Sequence, residues 1–166
     1  MFDGLMRSLG LRHREVELAS PIAGYVAPLC TVNDATFSRG MLGEGVAIVP
    51  SGDRVVAPAD AKVVAVFPTG HAVALRTVDG FDVLIHVGLG TSELSGRHFK
   101  VDVAQDQLVS RGDVLIQFDR EAIIHEGFDM VVPVLLRNAL EYAKIDCLAV
   151  GRDVDELDEL IVARER

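Results

Sequence analysis

Two of the five histidines stand where they could do chemistry. His71 and His86 lie within residues 67–91, F-P-T-G-H-A-V-A-L-R-T-V-D-G-F-D-V-L-I-H-V-G-L-G-T. An imidazole sits near neutrality at physiological pH, so a converging pair can supply a nucleophile, a proton carrier or two metal ligands. Convergence depends on the elements that carry them. Alternating, β-branched residues flank Asp79-Gly80, a strong hairpin signal. With those two as the turn residues, Val78 pairs with Phe81, Leu75 with Leu84, Val73 with His86 and His71 with Gly88. Side chains alternate along a strand, so His71, Val73, Leu75, Leu84 and His86 share one face. The two histidines become diagonal neighbours with Cα atoms about 7–8 Å apart. Thr69 lies on the same face, and the Gly88 carbonyl is placed to orient the His71 ring. A slip of one residue would send the histidines to opposite faces. One such histidine alone would read as a half-buried strand residue; two among apolar neighbours point to a site.

The rest of the chain reads as the scaffold for that hairpin. Its 166 residues suffice for one domain with a real core. Apolar residues make up 49% while aromatics make up 5% and Trp is absent, so the core must be built from Val, Ala, Leu and Ile. Such a valine-rich, glycine-punctuated composition favours strands. Short strand patterns cover residues 16–18, 24–27, 46–49, 54–57, 62–67, 107–109, 114–118, 129–137 and 145–150, with Pro-, Gly- and Asp-rich turns between them. The expected fold is all-β, a compact antiparallel β-sandwich or barrel with a few short helices. Residues 91–94 offer a helical turn, and 119–126 is the best helix candidate of the core. Residues 31–45 read as a long connection. Val154, Leu157, Leu160 and Ile161 suit a helix, with acids early and arginines late. Pro21-Ile22-Ala23-Gly24-Tyr25-Val26 is echoed by Pro58-Ala59-Asp60-Ala61-Lys62-Val63, which fits a duplicated motif.

Residues 1–14 differ in kind. Phe2, Leu5, Met6 and Leu9 recur at helical spacing beside Arg7, Arg12, His13 and Arg14, the pattern of an amphipathic segment able to rest on an anionic membrane, of a disordered tail, or of a helix docked on the domain. The domain proper is expected over 15–166. A net charge of −9 argues against nucleic-acid binding. Cys30 and Cys147 form no metal or redox motif and read as buried thiols in a reducing cytoplasm. No apolar run is long enough for a membrane span and no signal peptide is visible, so a cytoplasmic protein is expected. His98 and His125 read as surface or packing residues.

The residues around the paired histidines resemble a known family. T-G-H-A at 69–72 followed by L-I-H-V-G-L-G-T at 84–91 is similar to the active-site signature of the glucose-type IIA domain of the bacterial sugar phosphotransferase system. P-I-A-G at 21–24, F-S-R-G-M-L-G-E-G-V-A-I at 37–48, V-V-A-P-A-D-A-K-V at 55–63, S-R-G-D-V-L-I-Q-F-D at 110–119 and V-V-P-V-L-L-R-N at 131–138 fall in the family's order and spacing. The resemblance covers residues 18–150; beyond it the family usually closes with a strand, which residues 160–163 could supply in place of the helix. It implies a β-sandwich with a shallow apolar depression around the histidines. His86 would carry the phosphoryl group on Nε2, and His71 would hydrogen-bond its oxygens. The phosphoryl group would arrive from the phosphohistidine of HPr and leave to a cysteine on the IIB domain of a sugar permease (IIBC). Phe37, Met41, Leu42 and Phe67, with Leu84 and the retained Asp34, would form the surface partners press on. Regulatory proteins are further partners, and some members carry a similar amphipathic N-terminus, which would bring residues 1–14 to the inner membrane face. No cofactor is implied. No metal is held within the chain, though some members share a zinc with a partner protein, which His71 and His86 could do. Two positions depart from the family: Gly90 stands where an aspartate that docks an HPr arginine is usual, and Ser92 where an apolar residue is usual. The sugar is not identified.

Other readings compete. A zinc peptidase of related β architecture needs three protein ligands and an H-x-H pair, which the chain lacks. A lipoyl- or biotinyl-type carrier would need a lysine at the hairpin tip, where Asp79-Gly80 stands. A regulatory IIA-like protein without transfer keeps both histidines and stays open.

Overall fold

The computed structural model describes residues 14–166, so the amphipathic reading of the first 13 residues lies outside the described residues. Fourteen strands follow in chain order: β1 (Glu15–Ala19), β2 (Gly24–Pro28), β3 (Glu44–Pro50), β4 (Arg54–Val56), β5 (Ala61–Val66), β6 (Ala72–Thr77), β7 (Asp82–His86), β8 (Phe99–Val101), β9 (Leu108–Val109), β10 (Val114–Phe118), β11 (Val132–Leu136), β12 (Tyr142–Cys147), β13 (Asp153–Val154) and β14 (Glu159–Glu165). Two short α-helices, α1 (Ala35–Ser38) and α2 (Arg120–His125), and three 3₁₀ turns complete the described chain. Eight strands form one antiparallel sheet in the order β13-β2-β3-β11-β7-β6-β5-β9; β1-β14-β12 and β4-β10-β8 form two smaller sheets. The fold is all-β, as the composition implied.

The large sheet has two unlike faces. Val26, Val46, Ile48, Val73, Leu75, Val83, Ile85, Val132 and Val134 point inward and join Leu18, Leu115, Ile116, Leu160 and Ile161 from the smaller sheets in one core. The opposite face carries Ala47, Ala72, Ala74, Leu84 and Leu135, a second apolar cluster capped by loop residues. Its three alanines keep that surface low and leave room for groups standing above it.

The hairpin departs from the expected register. Ala72 pairs with His86, Val73 with Ile85, Ala74 with Leu84 and Leu75 with Val83. The connection is a three-residue loop, Val78-Asp79-Gly80, closed by Thr77 N–H donating to Phe81 O at 2.9 Å and Gly80 N–H to Thr77 O at 3.0 Å, with Gly80 at φ +105°. The core decides this. Phe81, Val83, Ile85, Val73 and Leu75 are all nearly fully buried. Only pairing odd-numbered with odd-numbered residues turns both strands' large apolar sets inward. Asn138 locks the loop, donating from Nδ2 to Gly80 O at 2.8 Å and accepting from Asp82 N–H at 2.9 Å.

Other expectations shift too. The 31–45 connection contains α1, whose cap Asp34 accepts from Thr36 N–H at 2.9 Å. The strand expected at 145–150 begins earlier, as β12. The helical spacing near the C-terminus is overridden: the segment forms β13 and β14, and β14 contains the closing strand that the family resemblance offered at 160–163. β14 lies between β1 and β12, and its backbone groups bond on both sides while Leu160, Ile161 and Ala163 are buried. Two partner strands outweigh a helical apolar spacing. Cys30 is exposed rather than buried, and Cys147 is partly buried.

Candidate functional site

In the register found, alternation along β6 would aim His71 into the core with Val73. It does not, because His71 lies outside β6. The chain turns at residues 67–70, with Gly70 N–H donating to Phe67 O at 2.8 Å and Gly70 at φ +70°. This left-handed glycine releases His71 from the strand's alternation. The backbone still pairs, with Val87 N–H donating to His71 O at 2.7 Å. The rings of His71 and His86 end edge to face with centroids 4.8 Å apart. Phe37 of α1 stands 5.0 Å from the His86 ring, and Phe67 stands 5.7 Å from the His71 ring.

Each ring is held through Nδ1. The Nδ1–H of His86 donates to Gly88 O at 2.7 Å. A carbonyl can only accept, so the neutral ring carries its proton on Nδ1 and a free lone pair on Nε2. His71 Nδ1 lies 2.5 Å from Thr69 Oγ1; with the hydroxyl donating, His71 keeps its proton on Nε2. The expected Gly88 contact therefore belongs to His86 and not to His71.

The same chain matches known proteins. The family model described as phosphoenolpyruvate-dependent sugar phosphotransferase system, EIIA 1, matches residues 16–142. The chain belongs to this family. It is 48% identical over 130 residues to the glucose-specific EIIBCA component of Corynebacterium glutamicum, covering 78% of this chain and 19% of that protein. It is 40% identical over 139 residues to the β-glucoside-specific EIIBCA component of Dickeya chrysanthemi, covering 84% and 22%. The chain thus spans about a fifth of the length of these curated relatives. The glucose permease IIA from Mycoplasma capricolum matches with a TM-score of 0.78 at 28% identity, covering 90% of this chain and 96% of that one.

Around the histidines of this EIIA domain the other singled-out residues take distinct places. Leu84, 4% exposed, is floor rather than contact surface, and Phe37 is buried as well. Leu42 and Phe67 are partly buried at the rim, and Met41 is 71% exposed. Asp34 acts on His86 through its charge. Gly90 adopts φ +68° at the start of the 91–94 turn, and Ser92 is exposed. The sequence reading missed Leu29, Val32 and Leu89, which complete the apolar surround. Their signal was weak, being single apolar residues within loops. Among the described residues, no three His, Cys, Asp or Glu side chains gather as a metal site, and no helix is long and apolar enough to cross a membrane. His98 pairs with Glu126 at 2.6 Å.

Burial pushes His71 down to about 4, with the neighbouring His86 acting in the same direction. His86 is also lowered by burial, opposed by its bond to the Gly88 carbonyl and by the charge of Asp34. Both rings are neutral at pH 7. The depressed His71 has a consequence for folding: between pH 6.5 and 4 the unfolded chain binds a proton that the folded chain refuses. Stability is therefore retained above that window and falls as pH drops through it, by up to about 3 kcal/mol for His71 alone. Urea midpoints at pH 7 and pH 4 should fall more for the wild type than for His71→Gln. An equal fall in both would contradict the buried neutral ring.

Proposed function

We propose that this EIIA domain is a phosphocarrier in sugar uptake. His86 takes a phosphoryl group from phospho-HPr and passes it to a cysteine of a IIB permease domain. The observation that carries the reading is the bond from His86 Nδ1–H to Gly88 O, beside a second buried imidazole in an apolar depression. With Nδ1 committed, the Nε2 lone pair attacks phosphorus in line as the carrier's N–P bond breaks. Onward transfer breaks the new N–P bond, forms an S–P bond on the cysteine and returns the lone pair to Nε2. His71 donates from Nε2–H to the phosphoryl oxygens, where the transition state redistributes charge. The apolar surround keeps out water, the competing acceptor.

Met41, Leu42 and Phe67 at the rim, with Asp34 beside them, form the docking surface for HPr and for IIB. The domain works at the cytoplasmic face of the membrane, with residues 1–14 as the membrane contact and regulatory proteins as further partners. Relatives named for glucose, mannose and β-glucoside lie at 48, 45 and 40% identity, in keeping with a sugar chosen by another domain. The test is mass spectrometry after incubation with phosphoenolpyruvate, enzyme I and HPr. One acid-labile phosphoryl group mapping to His86 is expected; no label with a matched HPr would sink the reading.

A further inference from the structure

We infer that Asp129 is a positioning residue for His86, fixing the peptide whose carbonyl holds the tautomer of that ring. The consequence for transfer rests on the phosphocarrier reading; the geometry does not. The peptide joining Gly88 to Leu89 is bonded at both ends. Its carbonyl accepts from His86 Nδ1–H at 2.7 Å, and its N–H donates to Asp129 O at 2.9 Å. One residue earlier, Gly88 N–H donates to Val131 O at 3.1 Å. The 88–89 turn is thus stapled to residues 129 and 131, and its orientation depends on the spacing of those two carbonyls. The Asp129 carboxylate sets that spacing, accepting from Val131 N–H at 3.0 Å across its own turn.

Met130 and Val131 are 6% and 9% exposed and lead directly into β11, so the turn is anchored on one side by the sheet. On the other side Phe128 N–H donates to Ile123 O at 3.4 Å, and the carboxylate closes the turn itself. Without that oxygen the Val131 N–H loses its partner, the turn relaxes, and the Asp129 carbonyl swings from Leu89 N–H. The Gly88 carbonyl then tilts away from Nδ1. The bonds run in series, so each polarises the next and losing one weakens the rest. Gly88 itself cannot take over the task by gaining a side chain, since at φ +79° an added Cβ would lie 2.5 Å from Thr91 Cγ2.

The test uses the full chain and two readouts. Nitrogen-15 NMR of the His86 ring at pH 7, without any other protein, reports the tautomer. The initial rate of phosphoryl acceptance from phospho-HPr reports the consequence. Wild type and Asp129→Asn, which keeps the accepting oxygen, should show the Nδ1–H tautomer alone and equal rates. Asp129→Ala should mix both tautomers and slow acceptance about tenfold. Asp129→Glu keeps the charge but moves the oxygen out of the turn; it should behave like the alanine variant and stands in for it if that chain does not fold. Asp113→Ala removes a similar turn cap, the 2.8 Å bond from Ser110 N–H, before β10 in a different sheet, and should change neither readout. An unchanged tautomer in both Asp129→Ala and Asp129→Glu, or the same change in Asp113→Ala, would overturn the inference. A wild type that accepts no phosphoryl group would overturn the carrier reading instead, and the tautomer comparison would still decide this one.

Discussion

His86→Ala is expected to accept no phosphoryl group from HPr, while His71→Gln is expected to accept one and fail to deliver it. The two effects differ because the rings are prepared differently. His86 has a carbonyl on Nδ1, which leaves Nε2 as a free nucleophile in an apolar surround. Alanine removes the nitrogen assigned to bond phosphorus, so the label should fall to background. His71 carries no such commitment to attack. It is 6% exposed, neutral at pH 7, and edge to face with the His86 ring at 4.8 Å between centroids. In the proposed mechanism its value lies in a donor whose interaction strengthens as charge moves between phosphoryl oxygens and leaving nitrogen. Losing one well-placed donor of this kind costs about 10²–10³ in rate. A glutamine amide can still donate to a bound phosphoryl group, so loading survives, but it sits on a longer, freer side chain without the Thr69 tether. Quenched time courses of phosphorylation and of transfer to a IIB domain separate the two steps. Full delivery by His71→Gln would remove His71 from the mechanism, and a labelled His86→Ala would move the acceptor elsewhere.

The largest expected effect on folding is at Gly45. It pairs with Leu135 where β3 meets β11, near the middle of the large sheet. A Cβ added there would lie 2.0 Å from Val134 O and 3.0 Å from Val134 C, both backbone atoms. Nothing flexible can give way, so Gly45→Ala must push β3 and β11 apart, at a cost of about 4 kcal/mol or more. The neighbouring Ala47 and Leu135 belong to the floor beneath the histidines, so phosphoryl acceptance should fail with the fold. Gly96→Ala is the contrast. Its φ of +89° is strained for alanine, but an added Cβ there meets nothing within 4 Å, and a loss of only about 1 kcal/mol is expected. Urea unfolding of both variants beside the wild type measures the difference. A Gly45→Ala midpoint close to wild type would show that the strands can separate locally at little cost.

What the sequence determined by itself was the kind of protein and which residues stood out as able to do chemistry. Valine-rich alternating segments cut by Gly, Pro and Asp made an all-β fold the natural expectation, and strands such as β10 and the capped helix α2 lie close to where local pattern put them. His71 and His86 stood out as a pair able to serve as nucleophile, proton carrier or metal ligands, and the surrounding motifs resembled the family to which the chain belongs. These signals are local: side-chain chemistry, turn residues and a period of two.

What only the tertiary structure decided was how those residues meet. The hairpin register slipped by one, because burying Phe81, Val83 and Ile85 against the same core as Val73 and Leu75 outweighs the preference of Asp79-Gly80 for a two-residue turn. By strand alternation that slip should have separated the histidines. They meet because Gly70 turns the chain before β6 begins. The partner of Gly88 changed from His71 to His86 for the same reason, and the C-terminal apolar spacing became a strand because β1 and β12 offered it partners. In each case a pairing distant in sequence set the outcome, and no local pattern encodes the free energy of contacts with residues far along the chain.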